Sequence, residues 1–353
     1  MSHRHEFSEA TKSSLAKRAG NSCSFPGCYA VTEGPSSESE TSFSKTGMAC
    51  HIYAAANGPS ARRVDTDLSG EELSHISNGI WMCYTHGKLI DTDESTYTPD
   101  ELKTWRTVAE RRAQIWQQLG RNFELHPRSF IEIPLPQSKI DLKLLGQENQ
   151  IIGDALSRAC VSEIWGKNES NAIRDALIEL TRNAFYHGNA SSVSISIHPK
   201  SITLTDDGAE YNPINILNEE KPGGGSFSIN ELINQHGNSI FFTHHYNSKN
   251  NHCVFSAISN SCDIKNLTPC YIEIPPTYGG ESKITFEVAE FCKTVYILLP
   301  SYFVISDALK LPTFIKRHLQ KDKHYIFIGE NLSKRTFEVI VDKIGDYEIV
   351  ELG

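Results

Sequence analysis

Residues 78–91, NGIWMCYTHGKLID, begin with an apolar run that predicts a strand and continue directly into Cys83-x-x-His86, the spacing of half a zinc site. The other half lies upstream, where RAGNSCSFPGC supplies Cys23 and Cys28 with Pro26-Gly27 to turn the chain between them. Three thiols and one imidazole are a set that a tetrahedral structural Zn²⁺ accepts. Either pair alone could be chance or two buried thiols, but two correctly spaced pairs around one segment predict a zinc site.

Composition places the chain among soluble, folded proteins of more than one domain. It has 353 residues, of which 39% are hydrophobic and 22% charged, an ordinary balance for globular protein. We find no apolar stretch of about 18 residues and no signal-peptide pattern, so we expect a cytoplasmic protein without a membrane span. Nine cysteines are too few for a disulfide scaffold and favour metal ligation and reduced thiols. The net charge of −9 argues against a surface generally covered with nucleic-acid-binding charge but leaves room for a local basic patch.

The segment between the two halves of the zinc site resembles the HNH (ββα-metal) nuclease family. The resemblance covers roughly residues 7–118 and rests on RAGNSCSFPGC, on CHIYAAANGP at 50–59 and on NGIWMC. It implies that His51 is the general base, which takes a proton from water while a divalent cation, Mg²⁺ or Mn²⁺, stabilises the phosphorane. Asn78 would orient His51 or support the hairpin. The alternatives are that His51 ends a strand and that Asn78 is only a turn residue before Gly79.

One departure from the family affects the predicted catalytic metal. Gly87 stands where the family has a metal-binding His directly after the second helix ligand. Asp91 lies four residues further, on the same face of a helix, and could supply a carboxylate; Asp93 and His75 are weaker substitutes. For contact with DNA the sequence offers basic candidates chosen by charge and position: Arg62, Arg63, Lys88, Arg106, Arg111 and Arg112.

The second half of the chain carries three further motifs in order. RDALIELTRNAFYHG places Glu179 and Asn183 at i and i+4 on a helix whose other face is apolar. SITLTDDG then ends a predicted strand at Asp206 and Gly208. A glycine run follows before another predicted helix, where backbone N–H groups favour phosphate; it consists of Gly223, Gly224 and Gly225.

Together these motifs resemble the GHKL superfamily of ATP-binding domains, over about residues 150–260. The resemblance implies that Asn183 coordinates Mg²⁺ on ATP, that Glu179 activates the hydrolytic water, that Asp206 and Gly208 hold the adenine side, and that the glycine run borders the phosphates. Glu210 replaces the second glycine of the family's DxGxG box. No helical hairpin with a phospho-accepting His precedes the motif, so kinase activity is not expected.

The predicted fold class is α+β with several domains. A zinc-stabilised ββα-metal domain occupies residues 1–120, a linker 121–150, a GHKL α/β sandwich 151–293, and a small region of β-α-β-α rhythm 294–353. Thr98 as N-cap, Pro99 at the first position and Gly120 as stop predict a closing helix for the first domain.

Two remaining groups carry no predicted chemistry. His244, His245, His252 and Cys253 lie in FFTHHYNSKNNHC, which we interpret as two strands joined by a turn rather than a metal site. Cys160, Cys262, Cys270 and Cys292 show no ligand spacing and are predicted to be buried thiols.

The combined hypothesis is an ATP-regulated, metal-dependent endonuclease that cleaves nucleic acid and serves bacterial anti-phage defence. DNA is the expected substrate, RNA remains an alternative, and homo-oligomerisation is an open option. The alternative is a non-catalytic, ATP-dependent DNA-binding switch or transcription regulator with a degenerate HNH module. Gly87 favours the alternative, and His51 in its CHI context favours the nuclease.

Overall fold

The computed structural model of the protein describes residues 4–58, 61–121, 127–143, 146–211, 213, 228–229, 232, 235–236, 240–247, 249–258, 260–274, 288, 292, 294–321 and 323–352. The chain divides into two compact units. Unit 1 comprises residues 1–140, 146–174 and 196–199, and unit 2 comprises 141–145, 175–195 and 200–353. The fold is mixed α+β with several sheets.

The described residues among the first 120 form two hairpins and four α-helices. In chain order these are α1 (Glu9–Arg18), β1 (Glu33–Pro35), β2 (Phe43–Lys45), β3 (Gly47–His51), α2 (Gly70–Ser74), β4 (Gly79–Cys83), α3 (Tyr84–Ile90) and α4 (Pro99–Leu119). β1 and β2 pair antiparallel. β3 and β4 also pair antiparallel, with His51 opposite Gly79 and Gly47 opposite Cys83. α3 begins immediately after β4, so the hairpin passes into a helix at the Cys83–His86 pair.

The apolar residues of β4 and α1 give this hairpin its support. Trp81 on β4 is buried against Phe7, Leu15 and other apolar residues of the N-terminal segment and α1. Its indole Nε1 donates to Thr32 Oγ1 at 2.8 Å, so the one polar atom of the ring is satisfied. The strand predicted from NGIWMC is confirmed.

The predicted closing helix α4 has the ends that its sequence specifies. Thr98 accepts from the backbone N–H of Glu101 while the Glu101 side chain accepts from the Thr98 backbone, a complete capping box. Pro99 stands at the helix start, and Gly120 ends the helix with φ of 88°, a left-handed value that suits glycine.

Residues predicted as a linker, 121–150, contain a strand and the start of a helix. β5 (Ser138–Leu142) lies at one edge of a five-stranded sheet of order β5-β6-β7-β9-β8. The other strands of this sheet are β6 (Val193–His198), β7 (Ser201–Asp206), β8 (Ile240–Tyr246) and β9 (Asn251–Ala257). Between β5 and β6 the chain forms α5 (Glu148–Arg158), α6 (Val161–Ile164) and α7 (Lys167–Tyr186). The strands predicted from SVSISI and SITLTDD are therefore confirmed as β6 and β7.

The C-terminal part of unit 2 is a four-stranded parallel sheet. Along the chain come α8 (Ser261–Leu267), β10 (Tyr271–Glu273), β11 (Thr294–Leu298), α9 (Ile305–Ala308), α10 (Leu311–His318), β12 (His324–Glu330), α11 (Lys334–Ile344) and β13 (Glu348–Leu352). The strand order β10-β11-β12-β13 is all parallel. The predicted β-α-β-α rhythm is confirmed, and the structure adds one strand before it and one after it.

The prediction that the four cysteines without ligand spacing are buried thiols is wrong for three of them. Cys270 and Cys292 form a disulfide with a Cα–Cα distance of 5.5 Å, because each lies just before one of the neighbouring parallel strands β10 and β11. Cys262 is exposed, whereas Cys160 is a buried free thiol. Among the described residues, no helix combines the length and the apolar character needed to cross a membrane.

Candidate functional site

The two predicted halves of the zinc site meet in unit 1. One ligand atom from each of Cys23, Cys28, Cys83 and His86 lies within 4.8 Å of all the others. His86 Nδ1 is 3.2 Å from Cys83 Sγ and 3.6 Å from Cys23 Sγ. A tetrahedral zinc ion with three sulfur ligands and one nitrogen separates its ligand atoms by about 3.5–3.8 Å. The cluster could therefore bind a metal ion such as zinc with little rearrangement.

Packing around the cluster holds the ligands in place. Phe25 stacks on the His86 ring with centroids 3.9 Å apart and meets Trp105 of α4 edge-on. Burial raises the pKa of the Cys23 thiol to about 12 and lowers the pKa of His86. A buried thiolate is stable only beside a cation, and a neutral imidazole can donate its lone pair. The lowered pKa of His86 keeps its imidazole neutral and able to bind a metal ion, whereas the Cys23 thiol would lose its proton when the ion binds.

His51, the predicted general base, ends β3 with its ring orientation fixed. Its Nε2 lies 3.1 Å from the carbonyl oxygen of His5, and the ring stacks on Phe7 with centroids 3.8 Å apart and an angle of 7°. A carbonyl oxygen only accepts, so Nε2 must carry the proton and Nδ1 keeps its lone pair. Burial lowers the pKa of His51. The ring is therefore held neutral, with one basic nitrogen.

Asp91 follows α3 and is linked to the His51 backbone by one buried arginine. Arg63 Nη2 donates to Asp91 Oδ1 at 3.1 Å and to the His51 carbonyl oxygen at 3.3 Å. The same guanidinium also donates to the carbonyl oxygens of Ile52 and Ile90. The Asp91 side chain is 51% exposed and that of Arg63 only 3%. Arg63 thus ties the end of β3 to the end of α3 and fixes one carboxylate oxygen of Asp91.

His51 and Asp91 line one cleft of about 1130 Å³, which we call the His51 cleft. Its charged lining is formed by six basic and three acidic side chains: Arg4, Lys12, Lys45, Arg62, Arg63, Lys88, Glu6, Glu9 and Asp91. In a chain of net charge −9, this excess of positive charge is local. Three of these cations are ion-paired within the lining: Arg4 with Glu6, Lys12 with Glu9 and Arg63 with Asp91. The remaining excess of basic side chains favours an anionic ligand.

Gly87 is buried where α3 packs on β3. A Cβ at this position would lie 2.7 Å from Met48 Sδ and 2.9 Å from Cys50 Sγ. Any side chain, and a histidine above all, would displace the side chains of Met48 and Cys50 on β3. Close packing of α3 on β3 therefore accounts for the glycine. Asp91, four residues after Gly87, provides a carboxylate that lines the His51 cleft. Within the part of the chain that the structure describes, the Cys23 cluster is the one group of three or more His, Cys, Asp and Glu ligands.

Asn78, the second predicted catalytic residue, holds the hairpin. It is 5% exposed. Its side chain accepts from Tyr53 N at 2.8 Å and donates to the carbonyl oxygens of Tyr53 and Leu73 at 3.0 and 2.9 Å. These bonds join the chain leaving β3 to the turn that enters β4. These hydrogen bonds satisfy the Asn78 amide and include none to the His51 ring. The geometry therefore matches the predicted role of Asn78 in supporting the β3–β4 hairpin.

The predicted DNA-contact residues separate into exposed and buried groups. Arg62 and Lys88 are exposed and line the His51 cleft, and Arg111 is exposed outside it. The prediction is wrong for Arg63, which is buried, and for Arg112, which is 3% exposed and lies over the rings of Tyr29 and Trp116. Arg106 is half-buried; it donates to Glu110 and to the carbonyl oxygens of Ile76 and Gly79. Charge and position alone could not reveal these internal roles.

In unit 2, α7 carries the predicted water-activating and magnesium-binding residues. Glu179 and Asn183 are half-buried, whereas Leu180 and Ala184 beside them are buried. Glu179 Oε1 accepts from Arg182 Nη1 at 3.1 Å. The two predicted residues thus lie at the border between the apolar face of α7 and its polar side. Gly223, Gly224 and Gly225 lie outside the described residues.

The loop after β7 closely approaches the segment that follows α7. Ala209 N donates to the Gly188 carbonyl oxygen at 2.8 Å. A Cβ on Gly208 would lie 2.8 Å from the same oxygen, so glycine is required at this crossing. The contact brings the region of the HG pair at 187–188 against the DDG loop at 206–208.

Asp206 belongs to a buried polar network that the sequence did not reveal. The residue is 1% exposed, and its Oδ1 accepts from Gly208 N and from Asn251 Nδ2, each at 3.0 Å. Its Oδ2 accepts from the Tyr211 hydroxyl at 3.4 Å. Burial raises the pKa of Asp206. Asn251 lies directly opposite Asp206 in the β7–β9 pair, a register that no local motif specifies.

The neighbouring aspartate has the opposite environment. Asp207 accepts from the backbone N–H groups of Ser191 and Ser192 at 2.7 and 3.0 Å. Hydrogen bonds from the Ser191 side chain and the Ser192 backbone lower the pKa of Asp207 to about 2. Of the two aspartates, only Asp206 is buried inside the fold. The prediction that FFTHHYNSKNNHC forms two strands and a turn is confirmed by the β8–β9 pair.

No protein-family model matches the chain, and no curated protein matches it.

Proposed function

We propose that the chain is an HNH-type endonuclease that hydrolyses nucleic-acid phosphodiesters with a divalent cation and is regulated by ATP held by unit 2. One observation carries the proposal. His51, fixed with Nδ1 unprotonated, and Asp91 line the same cationic cleft on a β-hairpin and helix that are joined by a potential metal cluster. We further propose DNA as the substrate and bacterial anti-phage defence as the setting.

In this proposal His51 Nδ1 removes the proton from the attacking water. The ring stays correctly aimed because His5 holds Nε2 and Phe7 holds the ring face. Lys88 and Arg62 hold the phosphates that flank the bond. A divalent cation at Asp91 would stabilise the charge that develops on the phosphate. Asp91 fits such an ion, because Mg²⁺ usually binds through one or two carboxylates together with phosphate oxygens and water.

The Cys23 cluster has a structural role in the same proposal. All four protein ligands are present, the arrangement of a closed structural zinc site rather than a catalytic one. It fixes the start of α3 relative to the loop after α1. That geometry sets the position of Asp91 at the far end of α3.

For unit 2 we propose that ATP binds beside α7 and the loop after β7. Asn183 would coordinate Mg²⁺, Glu179 would activate water, and Asp206 would accept from the adenine amino group. Support comes from the hydrogen bonds of Asp206 within the described part of the chain: Oδ1 accepts two internal donors, and Oδ2 accepts the long bond from Tyr211. A carboxylate has about four acceptor positions, so Oδ2 retains capacity for an external N–H. Regulation requires that ATP bind the active and inactive states with different affinity.

A second function has one specific observation in its favour. Gly87 leaves no room for a further ligand on α3, so the same cleft could hold DNA without cutting it. The chain would then be an ATP-dependent DNA-binding switch. The two functions differ in whether His51 is needed for a covalent change in DNA.

The deciding experiment is plasmid cleavage by the purified full chain with Mg²⁺ or Mn²⁺, with and without ATP. His51→Ala should reduce the cleavage rate by about 10²–10⁴-fold, the usual contribution of a general base. His198→Ala is the matched control, since His198 is exposed on β6 away from the cleft. Zinc content and circular dichroism show that each variant is folded. Equal cleavage by His51→Ala would contradict the mechanism, and tight binding without cleavage under any condition would establish the switch.

The pH dependence of cleavage tests the same residue. Burial lowers the pKa of His51, so the neutral, basic ring persists to lower pH than in a free histidine. Activity should be present above the lowered pKa and lost as the pH falls through it. The acid limb of kcat/KM should therefore lie below about pH 6.5.

A further inference from the structure

Unit 1 contains a second groove, separate from the His51 cleft, between the C-terminal end of α1 and α4. Its volume is about 450 Å³. Three basic side chains, Lys17, Arg18 and Arg121, line it together with one acidic side chain, Glu110. We call it the Lys17 groove. Like the His51 cleft, it has an excess of positive charge in a chain whose net charge is −9.

The basic residues of the Lys17 groove differ in how far their charge is compensated. Arg18 forms an ion pair with Glu110. Lys17 is exposed and has no acidic partner among the described residues. Arg121 lies over the Trp116 ring, 5.6 Å from its centroid, and one of its nitrogens donates to the Gly20 carbonyl oxygen at 2.9 Å. Two positive charges therefore remain for an anionic ligand, and Arg121 is held in position to present one of them.

The helix α1 contributes to both concave regions. Glu9 and Lys12 line the His51 cleft, and Lys17 and Arg18 line the Lys17 groove. The rise from Lys12 to Arg18 is about 9 Å along the helix axis. Duplex DNA carries one phosphate charge per about 1.7 Å of its axis, so a duplex presents several phosphates over that distance. Lys12 and Lys17 are about 140° apart around α1, so a ligand that contacts both regions must pass around this helix.

We propose that the Lys17 groove holds a second stretch of nucleic-acid backbone, with Lys17 and Arg121 on its phosphates, while the scissile bond lies in the His51 cleft. This inference rests on the proposed function. The groove offers two uncompensated cations for phosphates, its aromatic ring is covered by Arg121, and Gln114 and Gln117 add further hydrogen-bonding groups. Phosphate contacts set the register of a nucleic acid on a protein without reading its sequence.

The test measures the salt dependence of binding rather than cleavage. A fluorescein-labelled duplex DNA of about 30 base pairs is titrated with the full chain in Ca²⁺ between 50 and 200 mM KCl. Each phosphate contact contributes about 0.9 to the slope of log K against log salt. Lys17→Gln should reduce the slope by about 0.9, and Lys17→Gln with Arg121→Gln by about 1.8. Between 50 and 200 mM KCl the affinity of both proteins falls, and the factor by which it falls should be about 12 times smaller for the double variant than for the wild type.

A control with the same loss of charge comes from unit 2. Lys316 and Arg317 are exposed neighbours on α10, and their joint change to glutamine should leave the slope unchanged. If the wild type cleaves plasmid and both groove variants keep the wild-type slope of log K against log salt, the inference is overturned and the nuclease proposal stands. Absence of DNA binding by the wild type overturns both. The Lys17 single variant guards against a folding effect, because Lys17 has no described partner to lose.

Discussion

Replacement of Gly87 by alanine tests whether close packing of α3 on β3 excludes a side chain from the position where a metal ligand was expected. The added Cβ would lie 2.7 Å from Met48 Sδ, 2.9 Å from Met48 Cγ and 2.9 Å from Cys50 Sγ. Met48 is half-buried and can move, but Cys50 is short and 3% exposed. Overpacking of this kind costs about 1–3 kcal/mol. Alanine gains roughly 0.5–1 kcal/mol over glycine inside a helix, so Gly87→Ala should destabilise by up to about 2.5 kcal/mol.

Gly153 provides the matched control in the same unit. It lies inside α5, and a Cβ there would meet nothing within 4 Å. Gly153→Ala should therefore stabilise by roughly 0.5–1 kcal/mol, because only the helix-propensity gain applies. The difference between the two variants isolates the packing cost at Gly87, about 1–3 kcal/mol.

Tryptophan fluorescence during urea unfolding is a selective assay for these variants. All four tryptophans of the chain, Trp81, Trp105, Trp116 and Trp165, belong to unit 1. The midpoint and the slope of the transition give the free energy of unfolding. If Gly87→Ala and Gly153→Ala differ by less than about 0.5 kcal/mol, overpacking does not explain Gly87. A histidine could then be tolerated there, and the steric argument against a further ligand would fail.

Two further predictions concern the metal cluster and the nucleotide. Purified protein should carry about one zinc ion per chain, and Cys83→Ser should lose this ion and unfold unit 1, because structural zinc contributes about 10–16 kcal/mol against a usual domain stability of about 5–15 kcal/mol. Cys262→Ser, which changes an exposed free thiol, is the control. Full zinc retention by Cys83→Ser would contradict the assignment of the ligands. Asn183→Ala should abolish Mg²⁺-dependent ATP binding, whereas Glu179→Ala should bind ATP without hydrolysing it and shift nuclease activity in one direction. Isothermal titration calorimetry measures ATP affinity, and phosphate release measures hydrolysis. Unchanged ATP affinity in Asn183→Ala would refute the nucleotide assignment.

The features that the sequence specified correctly are those encoded within a few residues. The ends of α4 follow from Thr98, Pro99 and Gly120, because capping acts over a single helical turn. The two halves of the Cys23 cluster are each recognisable from ligand spacing within one short segment. Strands β4, β6 and β7 follow from local apolar patterns bounded by turn residues.

Other properties depend on segments that are distant in sequence, and only the tertiary structure decided them. Arg63 and Arg62 are adjacent in the chain, yet one is buried and linked to Asp91 while the other is exposed in the cleft. Asn251 meets Asp206 through strand register, and Cys270 meets Cys292 through the pairing of parallel strands.

The properties of His51 and Gly87 also depend on residues that are distant in sequence or brought close by packing. The sequence singled out His51, but its tautomer depends on a carbonyl group 46 residues away. The sequence also marked Gly87 as a departure, and only the packing of α3 on β3 supplied the steric reason. Neighbouring residues determine local geometry. The burial of a side chain, its hydrogen-bond partners and the protonation state of an ionisable group depend on the residues that the rest of the fold packs around it.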